Sequence, residues 1–249
     1  MRRLLFAGNW KMYKPPSEAA AFAAMLKERV PAIPDREVVV FPPMVSLPAV
    51  ASVLAGSTII WGAQNVHWEQ QGAFTGETSP LFLVDLNCQY VLVGHSERRL
   101  MFAEDDVVCN RKIRAAQKCG LRPILCCGET KAQRKAGQTF DVISAQLREG
   151  LTGAELNDQM IIAYEPVWAI GTGSNATPAE AAEVHRWIRS WLGSAGTATR
   201  IIYGGSVSPD NIDLLLAEPE IDGVLVGSAS LDVSSFTTIV SSVRKKCHY

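Results

Sequence analysis

The sequence predicts an α/β fold, a single (β/α)8 barrel of eight parallel strands. Three observations carry that reading. Eight short runs rich in Val, Ile and Leu recur along 249 residues, about 31 residues per unit, near the size of one βα repeat with its return strand. The runs scarcely alternate between apolar and polar, as strands buried on both faces do. A helical segment follows each run, and no Pro/Gly/Ser-rich linker divides residues 1–249, so the chain reads as one domain. A doubly wound open sheet would share the alternation of strand and helix, but eight units in about 250 residues favour the closed barrel.

The elements follow in order. Leu4–Trp10 is the first strand, and alanine-rich Ser17–Val30 the first helix, alanine being the best helix former. Glu37–Phe41 and Thr58–Ala63 are the next two strands. No Asp, Glu, Lys or Arg lies between Glu37 and Glu69, yet Pro42, Pro43, Pro48, Gly56 and Gly62 cut that stretch into pieces too short to span a bilayer as one helix. Tyr90–Val93 is the fourth strand, Asp105–Cys119 a helix, and Arg122–Cys127 and Met160–Tyr164 the fifth and sixth strands. Thr177-Pro178-Ala179-Glu180 reads as a capping box with proline at the first helical position. Ser208-Pro209-Asp210-Asn211, after the strand Arg200–Tyr203, repeats that start signal. Gly223–Val226 is the last strand, and Val233–Lys246 the last helix, with a basic end facing the negative pole of its dipole.

Composition narrows the function. Lys and Arg number 24 against 25 Asp and Glu, and 47% of residues are hydrophobic. A disordered or collagen-like chain is excluded. A net charge of −1 argues against binding nucleic acid or a membrane surface through bulk basic charge. The six cysteines, at 88, 109, 119, 126, 127 and 247, form no C-x-x-C and no zinc spacing. Adjacent Cys126 and Cys127 in an apolar run read as small core residues. The expectation is a reducing, cytoplasmic compartment. Only Leu4 to Gly8 follow Met1-Arg2-Arg3 before polar Asn9, too short for a signal-peptide core.

In a barrel of this kind, catalytic groups sit where strands end and loops begin. Strand 1 ends in Asn9-Trp10-Lys11, strand 4 in Gly94-His95-Ser96-Glu97, and strand 6 in Glu165-Pro166. Strands 7 and 8 end in Gly204-Gly205-Ser206 and Gly227-Ser228. A cation, an imidazole, a carboxylate and two glycine turns thus converge on one face. Glycine turns expose backbone N–H groups that attract phosphate, although glycines can also serve only to tighten a turn. His95 and Lys11 are weak evidence singly. A carboxylate ending an apolar strand, as Glu165 does, needs a partner or a task. Residues 166–176 are long for a βα loop, with an apolar middle and Gly171 and Gly173 near the end. Such a loop either closes over a site or packs on the rim. No nucleophile elbow occurs.

Several segments together resemble the triosephosphate isomerase family. They are Ala7-Gly8-Asn9-Trp10-Lys11-Met12, Gly62-Ala63-Gln64-Asn65-Val66, Gly72-Ala73-Phe74-Thr75-Gly76-Glu77 and Val93-Gly94-His95-Ser96-Glu97-Arg98-Arg99. The run from Ala163 through Gly173, then Tyr203-Gly204-Gly205-Ser206-Val207 and Leu225–Leu231, complete the match in order along the chain. The resemblance implies interconversion of dihydroxyacetone phosphate and D-glyceraldehyde 3-phosphate through an enediolate, a step of glycolysis and gluconeogenesis.

It also implies roles. Glu165 matches the general base and His95 the neutral electrophile; this family is itself the standing example of that pairing. Asn9 and Lys11 match the substrate-contacting pair, and Glu97 the carboxylate beside the lysine. Gly171, Ser206, Gly227 and Ser228 match the backbone donors around the phosphate. Ser228 departs from the pattern, which usually has a second glycine there. No metal or organic cofactor is implied. Gln71–Thr78, with Phe74 and Thr75 at its tip, matches the loop that inserts into a neighbouring subunit, implying a homodimer. A tetramer, as in some thermophilic relatives, is the alternative assembly.

Overall fold

The computed structural model describes residues 2–169 and 176–244. Eight strands pair in chain order: β1 (Leu4–Asn9), β2 (Arg36–Phe41), β3 (Ile59–Ala63), β4 (Tyr90–Val93), β5 (Arg122–Cys127), β6 (Ile161–Tyr164), β7 (Arg200–Tyr203) and β8 (Gly223–Val226). All neighbours are parallel, and β8 returns to β1 with Leu5 opposite Gly223, closing the barrel. The closed barrel, not the open sheet, is therefore the fold. Each sequence-predicted strand lies within one residue of an observed one.

Period-two geometry explains why the strands scarcely alternate in polarity. Leu5, Val39, Leu92, Ile124, Ile161 and Ile202 face inward and pack on one another. Phe6, Val40, Val91, Leu125, Ile162 and Ile201 face outward into a shell shared with the helices. Cys126 belongs to the inner cluster and Cys127 to the outer one. Burial pushes the Cys127 thiol up to about 12 and Cys126 well above its ordinary value, so both are protonated packing groups.

The outer shell includes α1 (Pro16–Arg29), α2 (Leu47–Leu54), α3 (Pro80–Asp85), α4 (Ser96–Phe102), α5 (Asp106–Lys118), α6 (Lys131–Lys135) and α7 (Thr139–Gly150). It continues with α8 (Pro178–Trp191), α9 (Ile212–Ala217) and α10 (Val233–Ser241). Eight helical segments were expected; the described residues form ten α-helices, because the crossovers after β4 and β5 each carry a short helix before the main one. Thr177 and Glu180 do form the expected box at the start of α8.

Two sequence expectations need correction. Ser208 does not cap a helix with its side chain. Instead the Asn211 side chain accepts from the Ser208 N–H at 2.9 Å, and α9 starts only at Ile212. The reversed bond makes a turn of residues 208–211, so the Ser-Pro-Asp-Asn pattern marks the turn rather than the helix. The last helix does not run to Lys246: α10 stops at Ser241, and Ser242 is extended. Its terminal carbonyls are satisfied from elsewhere, since the buried Arg36 guanidinium donates to Val240 O and, at 2.6 Å, to Ser242 O. A cation from β2 thus meets the negative end of the helix.

Candidate active site

Asn9, the last residue of β1, is buried, and its Oδ1 accepts from the Lys11 N–H at 3.0 Å. That bond helps hold Lys11 in a left-handed conformation, φ 51°, which costs a side-chain-bearing residue roughly 1–2 kcal/mol. Gln64, just past β3, secures the same turn by donating to Lys11 O and Phe41 O, both at 2.8 Å. The result aims Lys11 Nζ across the mouth of the barrel, where it meets Glu97 Oε1 at 2.6 Å.

His95 follows β4 and caps α4. Its Nδ1 accepts from the Glu97 N–H at 3.3 Å. An accepting Nδ1 leaves a neutral ring whose proton sits on Nε2. Nε2 stands 3.3 Å from Glu165 Oε1. The other oxygen of Glu165 accepts from the Ser96 N–H at 2.8 Å. The Glu165 side chain is only 2% exposed. Ring and carboxylate therefore form one unit that bridges the ends of β4 and β6 across the intervening β5.

Glycines make room for this carboxylate and for the Tyr203 hydroxyl behind the next turn residue. A Cβ on Gly204 would lie 2.8 Å from Glu165 Cγ, and one on Gly205 would lie 2.2 Å from the Tyr203 hydroxyl. Neither glycine is in the left-handed region, so close approach rather than φ excludes a side chain. Gly94 is different, with φ 69°, and its N–H donates to Glu104 Oε1 at 3.0 Å. Glu104 is itself buried and charged. Desolvation alone would raise its pKa, but bonds from Lys112 and Arg98 at 2.6 Å each hold it below the usual carboxylate range.

Two cavities open at this mouth and share Asn9 and Lys11. One, of about 380 Å³, is lined by Gln64, His95 and Glu97 as well. The other, of about 220 Å³, is lined by Gly205, Ser206, Gly227 and Ser228. The N–H groups of Ser206, Gly227 and Ser228 have no protein acceptor among the described residues. Unspent N–H groups beside a lysine suit a phosphate. The structure thus brings together Asn9, Lys11, His95, Glu97, Ser206, Gly227 and Ser228, with Glu165 behind His95. Gly171 lies outside the described residues. No group of three or more His, Cys, Asp or Glu side chains fit to hold a metal occurs among the described residues.

A family model described as triosephosphate isomerase matches residues 4–243. The chain belongs to the triosephosphate isomerase family. The triosephosphate isomerase of Chloroflexus aurantiacus is 54% identical over 248 residues, covering 96% of this chain and 99% of its own. That of Roseiflexus castenholzii is 53% identical, covering 96% and 97%, and that of Syntrophotalea carbinolica is 50% identical, covering 96% and 98%. No residue pattern marks Gln64, Ser96 or Glu104: Gln64 and Ser96 act through backbone groups, and Glu104 joins the Gly94 N–H to Arg98 and Lys112, arrangements that only the fold reveals.

Proposed function

We propose that this chain interconverts dihydroxyacetone phosphate and D-glyceraldehyde 3-phosphate, with Glu165 as the base and His95 as the electrophile. The observation that carries the proposal is the Glu165–His95 unit behind a cavity that continues, past Lys11, into unspent backbone donors. Glu165 takes a proton from C1 of the ketone. The C–H electron pair becomes the C1=C2 bond, and the carbonyl pair moves onto oxygen, where His95 Nε2–H stabilises it. The hydroxyl proton on O1 moves to O2. Glu165 then returns its proton to C2. Lys11 and the N–H groups of Ser206, Gly227 and Ser228 hold the phosphate, Asn9 orients Lys11, and Glu97 balances its charge. Gly171 is proposed to complete the cradle.

Residues 1–249 act as one domain in this reading, in the cytoplasm. No helix among the described residues is long and apolar enough to cross a membrane. The loop bearing Phe74 and Thr75, exposed at its tip, joins two chains into a homodimer. The experiment is to incubate the protein with dihydroxyacetone phosphate in heavy water and follow the products by NMR. Glyceraldehyde 3-phosphate and deuterium at C1 of the ketone are expected. A covalent adduct trapped by borohydride would point instead to a Schiff-base aldolase.

A further inference from the structure

At the mouth opposite the candidate site, the inner faces of the strands end in charge rather than in carbon. Leu5, Val39, Ile124 and Ile202 point into the barrel. Two residues upstream of each, Arg3, Glu37, Arg122 and Arg200 fall on the same side by the period of the strand. Glu37 is their hub. Its Oε2 accepts from Arg200 and from the Tyr90 hydroxyl, both at 2.5 Å. Its Oε1 accepts from Arg122 at 3.3 Å, with Arg3 3.5 Å away. Burial pushes the Glu37 pKa up, but the Tyr90 bond and Arg200 outweigh it and leave the carboxylate below its ordinary range.

One ionised carboxylate therefore faces three guanidiniums. A cavity of about 310 Å³ opens beside them, lined by Arg2, Arg3, Arg122 and Arg200 with Glu37 and Asp158. Four cations against two anions leave a surplus of two positive charges in a chain whose net charge is −1. The remaining partners do not remove it. Asp158 is exposed and bonded to Gln159, and the Asp222 that pairs with Arg2 is shared with Arg189, which also pairs with Glu220, so counting these three groups still leaves one positive charge over. Each guanidinium carries five N–H groups. Among the described residues, Arg3 makes an ion pair but no side-chain hydrogen bond, and Arg122 donates through one nitrogen only. Donors are left over, in the planar fork geometry that matches phosphate oxygens.

We propose that this N-terminal mouth of the barrel binds a small multivalent oxyanion of the phosphate type, at a site separate from the substrate cavity. The ligand is a free oligophosphate or the phosphate chain of a larger molecule. Its affinity falls steeply with salt, because the attraction is largely electrostatic.

The test is calorimetric titration of the full chain with pyrophosphate at low salt, in wild type, Lys11→Met, Arg3→Gln and Arg122→Gln. The Arg3 side chain is 52% exposed, so its replacement leaves folding intact; circular dichroism checks both arginine variants. One pyrophosphate site should persist in Lys11→Met. Each arginine variant should weaken that site about tenfold, the loss of one charge-assisted contact, with isomerase turnover unchanged. Adenosine diphosphate binding as tightly as pyrophosphate would identify the phosphate chain as the part that is read; much weaker binding would identify a free oligophosphate. No binding up to about 10 mM, about 3 kcal/mol of affinity, would overturn the proposal. So would binding that vanishes in Lys11→Met, or binding untouched by both arginine variants. The Lys11→Met arm separates this site from the proposed catalytic one, so either can fail alone.

Discussion

Ser228 stands where family members usually carry a glycine, and its backbone explains why serine is accepted. It is the first residue of a short 3-10 turn, Ser228–Leu231, after Gly227 at φ −86°. Ser228 is not among the described residues with positive φ, so no left-handed strain opposes a side chain. Gly227 occupies the cap position of that turn, and the Ser228 N–H follows one residue further on. Ser228→Gly should therefore change KM by less than about threefold, or roughly 0.7 kcal/mol, in a coupled isomerase assay. A tenfold gain in affinity would mean that the side chain crowds the phosphate. The convergence of Asn9, Lys11, His95 and Glu97 on one mouth was legible, because strand ends announce loop starts. The contact of Glu165 with the Ser96 N–H was not, since backbone donors leave no mark in a residue pattern.

At the scale of single elements, α8 carries a buried titratable group. His185 is fully buried, with Nδ1 3.3 Å from the Glu220 carbonyl and Nε2 without a hydrogen-bond partner among the described residues. Burial pushes its pKa down from 6.5 to about 4. Between those values the unfolded chain binds the proton and the folded one does not, so stability is complete above pH 6.5 and falls as pH drops toward 4. His185→Gln should lose less stability than wild type between pH 7 and pH 5, by about 2 kcal/mol, in urea unfolding. Equal losses would mean that His185 titrates normally. Local signals served α8 well, because the Thr177 box is complete within four residues. They failed for the end of α10, because Arg36, which satisfies its carbonyls, lies 204 residues before Val240. A window of sequence sees caps made by neighbours and misses caps made by the fold.

For the whole molecule, the barrel was legible because eight doubly buried strands impose both a count and a spacing. The charged layer at the N-terminal mouth was not, since Arg3, Glu37, Arg122 and Arg200 come together only when the sheet closes. At the other mouth, Met12, Met44 and Phe102 are exposed beside the cavity that His95 and Glu97 line, more apolar surface than isolated side chains explain. Phe74, 41% exposed, rests on His67 at a ring distance of 4.5 Å, which holds the loop in shape and leaves Thr75 exposed. Replacing Phe74 and Thr75 with glutamate should give folded monomers by sedimentation that lose most of their activity. Fully active monomers would reduce the loop to an interface without a role in the site.

The most direct measurement is steady-state turnover of Glu165→Gln, which keeps the shape of the side chain and removes its basic oxygen. General-base catalysis contributes about 10²–10⁴-fold, and nothing among the described residues near His95 replaces this carboxylate, since Glu97 is paired with Lys11 at 2.6 Å. The role of Glu165 as the base predicts a fall in kcat of at least about 10²-fold with little change in KM. Retention of more than about a tenth of wild-type kcat, some 1.4 kcal/mol of barrier, would contradict it.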